Sequence, residues 1–232
     1  MTGISPQLRC SVPVGIMEWA TGPAAEAILA DLAAPDINRA RLEKITASGA
    51  RQFRAGAGAI SLQAYPLSGT YRQHIQEFQT AYKNIGNYLK DPGQAFEYET
   101  SGQARTTLFF DGAANRLAAY ASLKCSSLRV QVDSLNAVVL PAVELVMLCV
   151  DDRYRRRGVG EAALSYLIRG LYEVKKRVGV RLVTLFAVKD AVDFYRRKFG
   201  FSELSQGLQM FLAPDYGSCV PMYLALPREQ VL

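Results

Sequence analysis

Apolar residues along this chain follow two patterns, short near-continuous runs and longer stretches with helical spacing. Near-continuous runs cover 143–150 and 181–188, which predicts two buried strands covered on both faces. Between them, apolar residues recur at three- and four-residue steps, which predicts an amphipathic helix. Its apolar positions are Ala163, Leu164, Leu167, Ile168, Leu171 and Val174.

Weaker patterns predict the remaining elements. Helices are expected at 24–34 and 38–47, and Pro35-Asp36 separates them, with Asp36 as a cap. One helix or a pair of helices is expected at 71–89. A short helix that Asp190 caps is expected to end at Lys198. Strands are expected at 56–65, 106–110, 117–123, 209–212 and 220–226. The stretch 127–139 is predicted as either a strand or a loop.

Composition narrows the class of protein. The chain has 232 residues, is 50% hydrophobic and carries a net charge of +6, so it can bury a core and favours anionic ligands. Its cysteines are scattered and its only histidine, His74, has no metal-spaced partners, so we expect reduced thiols and no metal. No apolar run reaches the ~18 residues of a membrane span, so we expect a cytoplasmic protein with no membrane partner.

A basic, glycine-containing loop joins the strand at 143–150 to the amphipathic helix. The free N–H groups of a helix's first turn bind phosphate, and Gly158 and Gly160 let an anion approach the backbone. Glu161 replaces the lysine that a P-loop requires. Gly158, Gly160 and Ala163 match a dinucleotide pattern only weakly, because D-D-R-Y-R-R-R separates the strand from the first glycine.

Arg155, Gly158 and Gly160 are in register with motif A of the GNAT superfamily, the acyl-CoA-dependent N-acetyltransferases, which this loop resembles. The resemblance implies that the loop amides bind the pyrophosphate of acetyl-CoA and that a backbone amide near Cys149 or Val150 polarises the thioester. The implied acetyl-CoA-binding residues are Cys149, Val150, Arg155, Arg156, Arg157, Gly158, Val159, Gly160, Glu161 and Ala162.

The order of predicted elements is also the GNAT order, over roughly residues 55–226. It implies an α/β (α+β) fold with a central mixed twisted sheet, a parallel splayed strand pair and helices on both faces. We expect an acetyltransferase domain at 53–232 and a helical extension at 1–52. The extension either packs on the domain or forms an oligomer contact, so a homodimer stays open.

Glu144 is the candidate general base, since it lies where histone-acetyltransferase members of the family carry theirs. Burial at the start of an apolar strand would raise the pKa of its carboxyl toward a useful range. A strand-end salt bridge is the alternative role for Glu144, and an ordered water molecule is the alternative base.

Tyr195 is the candidate general acid for the departing CoA thiolate. The segment A-V-D-F-Y-R-R-K-F-G-F resembles motif B of the family, but Tyr195 lies five residues before Gly200 where four is usual. The alternative is that Tyr195 packs in the core with Ala191 and Phe199.

These residues predict an N-acetyltransferase that moves an acetyl group from acetyl-CoA to a primary amine by direct attack in a ternary complex. The alternatives are a GNAT-type toxin that acetylates aminoacyl-tRNA and a non-catalytic acyl-CoA-binding module. The positive net charge favours an uncharged or anionic acceptor over a polycation. A basic rim for such an acceptor is expected from Arg153, Arg181, Arg196, Arg197 and Lys198.

Overall fold

A computed structural model describes residues 18–33, 53–55, 60–204, 208–209 and 219–227. Within these residues, ten strands form one sheet, in the order β2-β3-β4-β5-β6-β7-β10-β8, with β1 and β9 paired beside β5. The strands are β1 (Glu18–Ala20), β2 (Phe53–Ala55), β3 (Ile60–Pro66), β4 (Arg105–Asp111), β5 (Arg116–Gln131), β6 (Ala137–Val150), β7 (Leu182–Ala187), β8 (Ser202–Glu203), β9 (Leu208–Gln209) and β10 (Val220–Ala225).

The helices cover both faces of this sheet. They are α1 (Gly22–Ala33), α2 (Arg72–Glu77), α3 (Lys83–Lys90), α4 (Glu97–Thr100), α5 (Val159–Lys175) and α6 (Val192–Phe194), which continues as a π-helical turn at Tyr195–Phe199. The apolar stripe of α5 is buried against one face from Ala163 to Leu171, together with Tyr195 and Phe199, whereas Val174, predicted to belong to the stripe, is exposed. On the opposite face, α1 packs over β5 and β10, and α2 and α3 pack over β4 and β5.

Two neighbouring strands separate at the centre of the sheet. The strands β6 and β7 run parallel but pair only from Ala142–Leu182 to Leu145–Leu185. Directly after the last pair, the register of β6 with β5 skips Val146, which is a β-bulge. A bulge bends a strand and increases its twist, so β6 diverges from β7 beyond this point. The predicted mixed sheet with a splayed parallel pair and helices on both faces is confirmed.

Residues 18–20 are built into the same sheet. The strand β1 pairs in parallel with β5, and α1 confirms the first predicted helix. Asp36, the predicted helix at 38–47 and most of the predicted strand at 209–212 lie outside the described residues. The boundary between an extension at 1–52 and a domain at 53–232 stays a prediction.

Two open predictions are resolved and one is wrong. The stretch 127–139, predicted as a strand or a loop, is the end of β5, a turn and the start of β6, and Pro141 lies inside β6. Of the one helix or pair predicted at 71–89, the pair is confirmed as α2 and α3. Asp190 does not cap a helix: it lies within a 3-10 turn at Lys189–Ala191, which no side chain caps.

Candidate functional site

A cavity of about 540 Å³ lies where β6 and β7 separate. One wall comes from the N-terminal end of α3 and the opposite wall from the residues that follow β7, while the loop before α5 closes one side. Its lining residues are Tyr82, Ile85, Leu148, Cys149, Val150, Tyr154, Arg155, Arg156, Gly158, Val159, Gly160, Glu161, Val188, Asp190, Ala191, Phe194 and Tyr195.

The backbone of β6 offers hydrogen-bond donors to this cavity. The amide of Asp151 donates to the carbonyl of Ala118 on β5 at 2.9 Å. Because N–H groups alternate between the two sides of a strand, the amide of Cys149 also faces β5, and those of Leu148 and Val150 face the gap left by β7. Of the two amides predicted to polarise a thioester, that of Val150 therefore faces the gap and that of Cys149 does not, while the amide of Leu148 also faces the gap.

The loop before α5 holds two residues in the left-handed region. Gly158 has φ 80° and Arg156 has φ 58°, a conformation that costs a non-glycine residue energy and that clusters at functional sites. The first backbone bond of the helix is from the amide of Ala162 to the carbonyl of Gly158 at 3.0 Å. The preceding amides of the turn therefore stay open at the positive end of a seventeen-residue helix, which suits an anion.

Gly160 allows close packing at the start of α5. A Cβ atom at this position would lie 3.3 Å from Cγ2 of Val150 and 3.8 Å from Cζ of Phe194. The absence of a side chain therefore lets α5 begin directly against β6. Val159 and Ala162 pack with the core cluster under α5, so in these two residues only the backbone is placed to hold a ligand.

The charged residues of the loop have different surroundings. Arg155 forms an ion pair with Asp152 at 3.2 Å, and its guanidinium lies 5.2 Å from the ring centre of Tyr82. Arg157 stacks on the ring of Tyr154, 5.3 Å from its centre. Arg156, the third arginine, is exposed and lines the cavity. Glu161 is bound to Lys198 at 3.1 Å, which offsets its negative charge beside the open amides.

Cys149 is a buried residue of the cavity wall. Its thiol donates to Oγ1 of Thr80 at 3.4 Å. Burial raises the pKa of the Cys149 thiol to about 11, so the side chain stays protonated at neutral pH and is no nucleophile.

Tyr195 lies on the wall opposite α3 and begins the π-helical turn Tyr195–Phe199. A π turn holds one residue more in each hydrogen-bonded ring than an α turn, which accommodates the extra residue between Tyr195 and Gly200. Burial, and then the charge of Cys149, raise the pKa of Tyr195 well above its usual value. Its hydroxyl makes no hydrogen bond within the described residues, so this protonated phenol is a donor available to a ligand.

Glu144 is not brought together with these groups. Its carboxylate is buried on β6 and bound to Nζ of Lys124 on β5 at 3.0 Å. It is not among the residues that line the cavity. Leu148 lies four residue steps along the strand from Glu144, a distance of roughly 13 Å, which a glutamate side chain does not span.

The expected basic rim is also rearranged. Arg181 hydrogen-bonds the carbonyl of Pro141 through its amide, at the end of β7 that lies away from the cavity. Arg153 is bound to Asp151 at 2.6 Å, Arg197 to Asp193 at 3.2 Å, and Arg196 to Glu203. Lys198 is bound to Glu161, so four of the five cations have an acidic partner and Arg181 lies away from the cavity. The five therefore do not form one positive rim around the opening.

The sequence did not predict several of the residues that line the cavity. Tyr82 and Ile85 fit the apolar face of a helix, so nothing in the pattern separated them from core residues. The hydroxyl of Tyr82 lies 3.5 Å from Oδ2 of Asp190, across the opening of the cavity. Leu148 and Phe194 contribute through a backbone amide and a ring surface, for which the sequence carries no signal.

Within the described residues, no helix is long and apolar enough to cross a membrane. The same residues contain no group of three or more His, Cys, Asp or Glu side chains placed to hold a metal ion.

Comparison with known proteins bears on this site. A family model described as an acetyltransferase (GNAT) domain matches residues 112–203, which include β5, β6, the loop, α5 and Tyr195. Among curated proteins, the comparison finds no match.

Solved structures share the fold at low identity. A bacterial toxin superposes with a TM-score of 0.59 at 22% identity, over 71% of this chain and 90% of that chain. AtaTR bound with AcCoA gives 0.51 at 14% identity, over 71% and 92%. AtaT complexed with acetyl-methionyl-tRNAfMet gives 0.54 at 13% identity, over 72% and 94%.

Proposed function

We propose that this chain acetylates the amino group of an uncharged or anionic acceptor, and that aminoacyl-tRNA is the most specific candidate for this acceptor. The chain carries a GNAT acetyltransferase domain and uses acetyl-CoA. The observation that carries the proposal is the convergence of three donors on one cavity. These are the open amides at Gly158, the strand amides of Leu148 and Val150, and the phenol of Tyr195.

Each donor suits one part of the thioester substrate. The amides before Ala162 are placed for the pyrophosphate, with Arg156 beside them. An amide of Leu148 or Val150 stabilises the negative charge that develops on the thioester oxygen. The amine nitrogen attacks the carbonyl carbon, the carbon–sulfur bond breaks, and the thiolate takes the phenolic proton of Tyr195.

The proton of the attacking amine leaves through water rather than directly to Glu144. This follows from the ion pair of Glu144 with Lys124 and from its distance to the strand amides. The exposed Asp190 at the cavity opening faces Tyr82, and Glu161 faces Lys198, so neither carboxylate is a dedicated base. We therefore infer a site without a strong side-chain base.

A site without a strong base favours an acceptor whose amine is already neutral. An α-amino group has a pKa near 7.7–8.0, so about a third is neutral at roughly pH 7.5, against about one in a thousand for a lysine side chain with a pKa near 10.4. The amino group of an aminoacyl ester belongs to the first class. A polyamine or a lysine side chain belongs to the second.

A second cavity supports an anionic carrier for that amine. It measures about 220 Å³, and Arg72, Gln76, Lys90 and Phe96 are among its lining residues, which include no carboxylate. Within the described residues, neither cation has an ion-pair partner. Lys90 ends α3 and Tyr82 precedes it, so the eight residues of α3 place the two cavities about 12 Å apart along one helix. Cations at this spacing suit a phosphate backbone that approaches the acetyl-transfer cavity.

Toxins are among the structural neighbours, and one of them, AtaT, has been solved in complex with acetyl-methionyl-tRNAfMet. At their identities they support the fold alone. The choice of acceptor rests on the positive charge of the chain and on the lack of a strong side-chain base in the cavity.

The test is acetylation with labelled acetyl-CoA. We expect label on purified aminoacyl-tRNA and none on the same tRNA after deacylation, with a rate that falls steeply as salt rises. Arg72→Gln with Lys90→Gln should raise the KM for aminoacyl-tRNA and flatten the salt dependence, while the Kd for acetyl-CoA stays unchanged.

A parallel reaction in whole-cell lysate, separated into RNA, protein and small molecules, tests the acceptor without prior choice. Label confined to polyamines or basic protein tails would contradict the proposal. Binding of acetyl-CoA with no transfer to any fraction would favour the non-catalytic module.

A further inference from the structure

The carboxylate of Asp151 lies between the wall formed by α3 and the loop at residues 155–158 before the helix α5, which we name the acetyl-CoA loop. Asp151 follows β6 directly and is fully buried. Its Oδ1 accepts hydrogen bonds from Nε of Arg153 at 2.7 Å and from the amide of Arg153 at 3.0 Å. Its Oδ2 accepts from Nη2 of Arg153 at 2.6 Å and from the amide of Gln79 at 2.9 Å.

These bonds join two segments that are distant in the sequence. Residues 78–82 form the loop between α2 and α3. The carbonyl of Gln79 accepts from the amide of Asp152 at 2.9 Å, and the carbonyl of Glu77 accepts from Nη2 of Arg153 at 3.0 Å. We name this set of contacts, from Asp151, Asp152 and Arg153 to Glu77 and Gln79, the Asp151 clasp.

The clasp holds the cavity wall on both of its sides. Immediately after Gln79, Thr80 accepts a hydrogen bond from the thiol of Cys149, and Tyr82 and Ile85 line the cavity. Immediately after Arg153, Arg155 and Arg156 line the cavity from the other side, and the guanidinium of Arg155 lies over the ring of Tyr82. The position of Tyr82 is therefore set relative to the loop that holds the substrate phosphates.

We propose that Asp151, acting through Arg153, is a positioning residue that sets the acceptor wall of the cavity relative to the acetyl-CoA loop. The proposal rests on the proposed function for the assignment of α3 to the acceptor side. A displacement of about 1 Å at a reacting pair costs roughly 10²-fold in rate, so a clasp that fixes this wall acts on catalysis without touching substrate.

Two variants test the clasp, each with a matched control. Asp151→Asn keeps the size of the side chain but cannot accept all four hydrogen bonds. Arg153→Lys keeps the charge but cannot reach Asp151 and the carbonyl of Glu77 together. Glu99 and Arg105 form a more exposed ion pair at 2.8 Å that ties α4 to β4 and lines neither cavity, so Glu99→Gln and Arg105→Lys are the controls.

The first measurement is hydrogen exchange with acetyl-CoA bound, which does not depend on the acceptor. We expect Asp151→Asn to speed exchange in residues 78–90 by about tenfold or more, with exchange in α5 unchanged, and Arg153→Lys to give a smaller change in the same segment. The control variants should leave residues 78–90 at the wild-type rate. Equal exchange there in Asp151→Asn and in wild type would overturn the proposal.

The second measurement is kinetic, with purified aminoacyl-tRNA as acceptor. We expect Asp151→Asn to lower kcat/KM for the acceptor by about ten- to a hundredfold, with the Kd for acetyl-CoA within about threefold of wild type. Parallel loss of acetyl-CoA affinity and activity would show a merely structural residue. Should Asp151→Asn not fold, Arg153→Lys decides by the same readings. Should wild-type protein leave aminoacyl-tRNA unmodified, the proposed function fails and the exchange result still decides the clasp.

Discussion

Replacing Gly158 by alanine tests the acetyl-CoA loop most directly, because the reason for the glycine is a backbone angle. Gly158 has φ 80°, in the left-handed region, where a Cβ atom costs an L-residue roughly 1–2 kcal/mol. If the free loop relaxes to avoid this strain, the cost returns on binding and raises the Kd for acetyl-CoA about five- to thirtyfold. If the loop keeps its conformation, the same cost lowers the free energy of unfolding instead.

Gly170→Ala is the matched control. Gly170 lies inside α5, and a Cβ atom there would have no neighbour within 4 Å. Alanine in a helix interior is favoured over glycine by about 1 kcal/mol, so this variant should be as stable as wild type or more so, with unchanged affinity.

The assays are titration calorimetry with acetyl-CoA and urea unfolding of the free protein, for both variants. Their two changes in free energy should together amount to roughly 1–2 kcal/mol for Gly158→Ala. A Gly158→Ala protein with wild-type affinity and wild-type stability would refute the argument, because no left-handed strain would then exist at this loop.

Other predictions concern single side chains. Tyr195→Phe should lower kcat by about a hundredfold or more without changing acetyl-CoA affinity. Because burial raises the pKa of Tyr195, wild-type activity should not fall between roughly pH 8 and 10 through loss of the phenolic proton. A pH–rate profile of both proteins checks these two expectations. Glu144→Gln should keep the rate at about pH 8 within threefold of the wild-type rate. It should lower the free energy of unfolding by about 1–3 kcal/mol, because it weakens the buried ion pair with Lys124. A large loss of rate with unchanged stability would instead support Glu144 as the base. Iodoacetamide at about pH 8 should modify the exposed Cys125 and spare Cys149, whose pKa is raised to about 11, as peptide mass mapping would show.

Acidification should loosen the Asp151 clasp. Burial opposes ionisation of Asp151, but the hydrogen bonds from Arg153 and from the amide of Gln79 outweigh it and hold the pKa of Asp151 below its usual value. A carboxyl with a lowered pKa stabilises the fold above its unfolded pKa of about 3.9, and that contribution is lost as pH falls through the folded value. The clasp is therefore intact throughout the pH range of the assays above.

The sequence by itself determined the elements that depend on local patterns. The apolar run of β6 and the helical period of α5 are properties of neighbouring residues, and the glycine-containing loop between them is a matter of spacing, so all three were predicted near their observed positions. The resemblance of this loop to GNAT motif A supplied the fold, since the bulge and the splay have no signal of their own in single-sequence patterns.

Only the tertiary structure decided which groups meet at the cavity. The strand register turns the amides of Leu148 and Val150 toward the gap and that of Cys149 toward β5. The same register places Lys124 opposite Glu144 and pairs the carboxylate that the sequence predicted as a base with a lysine. Register and ion pairing join residues far apart in the chain, and their energies depend on distances that no local pattern contains. The clasp at Asp151 is of this kind, since its bond to the amide of Gln79 exists only once the fold has brought the two segments together.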